Sequence, residues 1–243
     1  TPVMPDPSQM KLSWTDVPGR KSPGKAGFTL IELLTVIAII AILAGILIPT
    51  ATGARTAASR ARTRVLFSQW IIAIEAFRQE YGCYPEFDAS NKVNGGAAAE
   101  NGVHPFHDIL SGRRRDGSAL PEAVSGSSAP EAQNYRRISF ITFTGGDLFP
   151  VSDEDAGRRN LLHDGFENTD IAILVDRNLD GMINETDYPV IPNVSPPGGN
   201  GQPLSPSDED FPRGPAGGVR AGVILFSAPP RAVDASQLIL SWK

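Results

Sequence analysis

At 243 residues, 41% hydrophobic and 20% charged, the chain has room for an apolar anchor and one modest folded domain. Its formal net charge is −5, and residues 1–27 hold four basic and two acidic side chains, so the remainder stands near −7, the wrong sign for a protein that coats or grips nucleic acid. Cys83 is the only cysteine, which excludes an intrachain disulfide, and three histidines with no Gly-x-Ser-x-Gly and no phosphate-binding loop leave no catalytic constellation.

Residues 1–22 are polar, carry prolines and lack periodicity, and read as a disordered leader. From Phe28 to Ile48 nearly every side chain is apolar, with Glu32 the single charge. As a helix at ~1.5 Å per residue this run is about 30 Å long, the thickness of a bilayer's hydrocarbon core. Apolar on every face, it reads as a membrane anchor. The residues alone leave two roles open for Glu32: snorkelling to the membrane edge, or pairing with a neighbour's positive charge where water is excluded. Arg20, Lys21 and Lys25 precede the run while Arg55, Arg60, Arg62 and Arg64 follow it, so basic flanks do not orient it. The four arginines read as a solvated or headgroup-facing cluster. Gly45, Pro49 and Gly53 are points where the helix is expected to bend or melt.

Leu66, Trp70, Ala73, Phe77 and Tyr81 recur at spacings of four, three, four and four, broadened by Ile72 and Ala76, and predict an amphipathic continuation of the helix. Gly82 and Pro85 end it. Residues 88–99 read as a loop, Pro105–Ser111 as a short helix closed by Gly112, and residues 113–134 as a polar loop. Strands are predicted at residues 138–144 (I-S-F-I-T-F-T, stopped by Gly145-Gly146), 171–175, 222–227 and 237–242, the last with Leu238, Leu240 and Trp242 on one face. Residues 229–236 make a hairpin-like turn, and the Pro- and Gly-rich residues 192–218 a long surface loop. The acidic stretches 152–155 and 164–170 read as solvated turns, and His104 and His107, with Pro105 between them, as loop histidines without a ligand role. The expected fold is α+β: a long N-terminal helix packed against a small, mainly antiparallel sheet.

The run G-F-T-L-I-E-L-L with its basic approach and Pro49 resembles the class III signal of the type IV pilin and type II secretion pseudopilin superfamily. An ordinary secretory signal has its small-residue cleavage site after the apolar core, whereas here the junction precedes it. The resemblance implies that a membrane peptidase cuts between Gly27 and Phe28 and methylates the new amino terminus at Phe28. It also implies that Glu32 is the acidic residue that pairs with that amino group on an adjacent subunit during assembly. Lys25 stands one place further back than the family's usual Lys or Arg before the glycine. The close of the helix at Tyr81-Gly82-Cys83-Tyr84-Pro85, and the ending V-I-L-F-S followed by L-I-L-S-W, are also similar to pseudopilins. The Asp-Pro-Trp-Gly turn common before their last strands is lacking.

Residues 176–187, D-R-N-L-D-G-M-I-N-E-T-D, follow the calcium-loop pattern D-x-N-x-D-G with an acid at the twelfth place. Alternate oxygen side chains converge on one ion, glycine at place six permits the sharp turn, and place seven offers its carbonyl. Asp176, Asn178, Asp180, the Met182 carbonyl, Asn184 and Asp187 are the expected ligands of a structural calcium, with Ile183 pointing inward. The competing reading is an Asx-rich turn without an ion.

The resemblance thus implies residues 1–27 as leader, 28–81 as a long helix with a transmembrane first half, and 82–243 as a periplasmic or extracellular globular head. The implied function is a non-enzymatic pseudopilus subunit of a type II secretion system. It would be processed by prepilin peptidase, held as a single pass in the inner membrane, and assembled with copies of itself or other pseudopilins on an inner-membrane platform. No nucleic acid partner is expected. The alternatives are a type IV pilus subunit for adhesion, motility or DNA uptake, and a membrane-tethered ligand-binding or enzymatic domain.

Overall fold

The computed structural model describes residues 27–97, 103–122, 128–150, 152–198, 201–214 and 217–243. The expected leader, apart from Gly27, lies outside them. The chain falls into two compact units, Thr1–Thr50 and Ala51–Lys243. Helix α1 is Leu30–Tyr81, 52 residues. In the first unit its apolar window has a mean hydropathy of 2.9 with no part of it buried, long and apolar enough to cross a membrane. The expected break does not occur, since positions 45, 49 and 53 all stay helical. In the turn around Pro49, which lacks a backbone N–H, the Thr50 hydroxyl donates to the carbonyls of Ile46 and Leu47.

The second unit is α+β. After the last 31 residues of α1 come α2 (Pro105–Ser111), α3 (Pro130–Gln133), β1 (Ile171–Val175), β2 (Val223–Ser227), a 3₁₀ turn (Ala235–Gln237) and β3 (Ile239–Leu240). The strands form one antiparallel sheet in the order β1-β2-β3. Ile171 faces Ser227, Ile173 faces Leu225 and Val175 faces Val223, while Phe226 faces Leu240. Every residue of the three strands is buried, so both faces of the sheet are covered. Alternation divides them: Ile171, Ile173, Val175, Val223, Leu225 and Ile239 pack into a core with α1 and α2. Ala172, Leu174, Ile224, Phe226 and Leu240 pack into a second core on the opposite face. That second core is built largely from connecting segments through Ile183, Tyr188, Ile191, Val194 and Phe211. The 192–218 segment is therefore not merely a surface loop.

The buried seam of α1 is Thr63, Phe67, Trp70, Ala73, Ile74 and Phe77, rotated from the expected stripe. Leu66 and Tyr81 are only half-buried, and Ile72, expected to broaden the stripe, is 69% exposed. Two further expectations are corrected. Residues 138–144 form no strand: Phe140 and Ile141 both donate their N–H to the Leu110 carbonyl at the end of α2, and Ile138 donates to the Asn134 side chain. No parallel or antiparallel ladder is left for them, and Phe140 and Phe143 instead extend an aromatic cluster with Phe77, Tyr81, Phe106 and His107. Asp164 is buried, not solvated; it accepts from Ser227 Oγ and from the N–H groups of Phe166 and Asn168, and burial raises its pKa.

Candidate processing and assembly site

The start of α1 is built from a short, open segment. Residues 27–29 are not helical, Gly27 has no atom within 4 Å of where a Cβ would stand, and Phe28 is 79% exposed. A peptidase needs an extended, accessible peptide, and the 27–28 bond offers one. The helix begins immediately afterwards on a feature the sequence reading passed over. The Thr29 hydroxyl accepts from the Glu32 N–H at 3.3 Å. The Glu32 carboxylate accepts from the Thr29 N–H at 2.9 Å and from its hydroxyl at 2.8 Å. This is a capping box, Thr at the N-cap and Glu three residues on, and T-x-x-E before an apolar run is its sequence signature.

The box gives Glu32 a role inside one chain. Two backbone donors at the helix start are satisfied by one side chain each, and the negative charge lies at the positive end of the helix dipole. An ammonium group at residue 28 would sit one residue from Thr29, where the dipole disfavours it and the Glu32 carboxylate offsets that cost. Capping uses only part of the acceptor capacity of that carboxylate, so a second donor from outside the chain has room to bind.

The 176–187 loop follows β1 directly. Asp176 N donates to the Gly222 carbonyl, and the buried Asp176 carboxylate accepts from the N–H groups of Asp180 (3.2 Å) and Gly181 (2.7 Å). Gly181 takes φ +86°, a left-handed turn that glycine adopts without strain. Asn178 Oδ1 accepts from Asp180 N, and Asp180 Oδ1 from Met182 N. Asp187, also buried, accepts from Asn178 N and Asn184 N. Asn184 Oδ1 accepts from Thr186 N, and Ile183 is fully buried in the second core. Arg177 turns away, with its guanidinium 4.5 Å from the centre of the Tyr188 ring and a bond to Asn91. Two buried carboxylates thus close the loop with no Lys or Arg salt bridge among the described residues. That is a donor set chemically suited to a divalent cation, since each carboxylate oxygen holding one backbone N–H keeps a second lone pair. Asp180 is exposed, however, and among the described residues no three His, Cys, Asp or Glu side chains are gathered round one point.

His104 and His107 are buried at the start of α2, contrary to a loop reading. His104 caps the helix through Nδ1, which accepts from His107 N, while its Nε2 meets Asn94 Oδ1 at 3.0 Å. Burial, with Arg115 and His107 nearby, pushes the His104 pKa down to about 3. Ser111 Oγ and Asp108 Oδ1 both approach His107 Nδ1, at 3.4 and 2.9 Å. A serine–histidine–aspartate relay needs the two partners on opposite ring nitrogens, so this cluster is structural.

Comparison with curated proteins and with solved structures gave no significant match. The family model of the prokaryotic N-terminal methylation motif matches residues 23–48, the stretch in which the exposed 27–28 peptide, the capping box and the apolar helix follow one another. The beginning of this chain is therefore a prepilin-type signal, and the protein is a type IV pilin-like or pseudopilin protein.

Proposed function

We propose that the chain is a structural subunit of a type II secretion pseudopilus. It is made as a precursor, cut between Gly27 and Phe28 by prepilin peptidase, methylated at Phe28, and assembled through its apolar helix on an inner-membrane platform. The observation that carries this reading is the methylation motif lying on an unburied apolar helix whose capping carboxylate, Glu32, stands beside the future amino terminus. Before assembly the helix is a single membrane pass with Ala51–Lys243 outside the cytoplasm. Afterwards it forms the filament interior with copies of this chain or other pseudopilins, where Glu32 pairs with a neighbour's terminal amine. The lone cysteine favours a pseudopilus over a type IV pilus, whose subunits more often carry a cysteine pair. The acidic net charge speaks against a nucleic acid partner. A structural subunit needs no catalytic site.

The reading extends to the 176–187 loop, which we propose binds a structural calcium through Asp176, Asn178, Asp180, the Met182 carbonyl, Asn184 and Asp187. The exposed Asp180 and Asn178 swing inward to complete the shell. The test of the main reading is genetic. Deleting the gene blocks secretion of folded exoproteins and leaves surface motility intact; the opposite result assigns the chain to a type IV pilus.

A further inference from the structure

The covered seam of α1 leaves an apolar strip on the outside of the second unit. Val65 and Ile72 are 57% and 69% exposed, seven residues apart and hence on one helical face, with Gln69 between them. Beside the strip lies a groove of 280 Å³ whose walls include Leu66, Gln69, Ile72, Ile141, Phe143 and Asp147. It is small and open along the helix, with Gln69, Ile72 and Thr142 all exposed, unlike the enclosed site that a small molecule needs.

We infer that this strip and groove form a contact surface for a second copy of the chain. The inference rests on the reading that the chain assembles through α1, and it adds where the second unit takes part. The strip lies on α1 itself, the element that assembly brings alongside its own copies. The charges fit a neighbour of the same kind. Residues 33–74 carry Arg55, Arg60, Arg62 and Arg64 and no acid, whereas residues 75–243 carry 24 acidic and 14 basic side chains, a net charge of −10. Arg60 and Arg62 reach the carbonyls of Gln237 and Gly146, but Arg55 and Arg64 have no ion pair among the described residues. Two copies laid in the same direction and shifted along α1 set these arginines against an acidic body. Unshifted copies set like against like. The strip is far smaller than the ~800 Å² per partner of a stable interface, so it closes only when the apolar helices have already brought the copies together.

The test uses the full chain in its membrane, with Cys83→Ser and one new cysteine carrying a benzophenone–maleimide photocrosslinker. Ile40→Cys reports the apolar helix, Ile72→Cys the strip, and Val233→Cys, 81% exposed, a site away from it. The expected result is a product of twice the subunit mass from Ile40→Cys and Ile72→Cys, several-fold above Val233→Cys. A product from Ile40→Cys without one from Ile72→Cys overturns the inference and leaves the assembly reading standing. A crosslink from Ile72→Cys to a different protein, or within one chain, overturns it too. Absence of product even from Ile40→Cys removes the assembly reading, and the inference with it. In parallel, Ile72→Asp lowers filament yield at least roughly tenfold, because an unpaired carboxylate enters an apolar contact. The melting curve of the second unit stays unchanged; normal yield overturns the inference.

Discussion

His104 makes the stability of the second unit steeply sensitive to mild acid. Its ring is buried, its Nε2–H is directed at Asn94 Oδ1, and its Nδ1 receives the His107 N–H. A proton on Nδ1 would replace that acceptor by a second donor facing a donor, beside Arg115. The folded pKa is thus about 3, against about 6.5 in the unfolded chain. Because the folded value is the lower one, the unfolded state takes up the proton first. The stabilisation is complete above pH 6.5 and drains away as pH falls towards 3. Linkage puts the loss at about 2 kcal/mol by pH 5 relative to pH 8, a fall in Tm of about 4–8 °C for a unit of this size. Asp164, raised by burial, works in the opposite direction at lower pH, because protonation there favours the folded form. The assay is fluorescence-detected unfolding through the buried Trp70 in the full chain, at pH 8, 6.5 and 5. His104→Asn, which keeps a capping oxygen, supplies the comparison. The variant is expected to start less stable and to lose little between pH 8 and 5. An equal loss in wild type and variant would refute the reasoning.

Processing predicts a mature amino terminus at N-methylated Phe28 by intact mass, with Gly27→Arg accumulating as uncut precursor; a terminus elsewhere sinks the junction. Glu32→Gln retains a capping box while removing the charge, so it should keep the helix and membrane insertion but lose filaments; Glu32→Ala also loses about 1 kcal/mol of capping. Normal filament yield from Glu32→Gln would reduce Glu32 to a cap. Calcium at a hundredfold excess over Kd should stabilise the second unit by about 2.7 kcal/mol, magnesium much less, and Asp176→Ala should abolish the gain. Identical melting in calcium and chelator would leave the loop a plain turn. A Cβ on Gly222 would lie 1.9 Å from Tyr84 Oη and 2.4 Å from Glu75 Oε1, so Gly222→Ala should cost about 1–3 kcal/mol in a denaturation titration, partly restored by adding Tyr84→Phe.

Local punctuation made some elements legible. Pro105 and Gly112 bracket α2, the all-apolar I-A-I-L-V announces β1, and Leu238 and Leu240 take the face that alternation assigns them. What failed depended on partners far away in sequence. A stripe through Leu66 and Trp70 and one through Phe67 and Ile74 are nearly equivalent in periodicity; only the fold chooses, and it leaves Ile72 outside. Residues 138–144 have strand composition, yet their amides go to one carbonyl of α2, which no local pattern reveals. Asp164 looked solvated because its partner, Ser227, stands 63 residues away. Thr29 was the exception, a local signal hidden by the apolar run it opens.

The central strand β2 has consequences for the making of the protein. It pairs with β1 across 47 intervening residues and completes both cores, while α1, which supplies a wall of the first, is synthesised near the beginning. At ~5–20 residues per second, roughly 10–30 seconds pass between the emergence of Phe67 and that of Phe226. Through that interval Phe67, Trp70 and Phe77 have no sheet to lie against. Few local contacts can bridge the delay, since the pairings are distant in sequence. A chain tethered by its first helix while its last strands are still arriving exposes an aromatic surface beside the membrane, where a holding chaperone or a protease finds its chance.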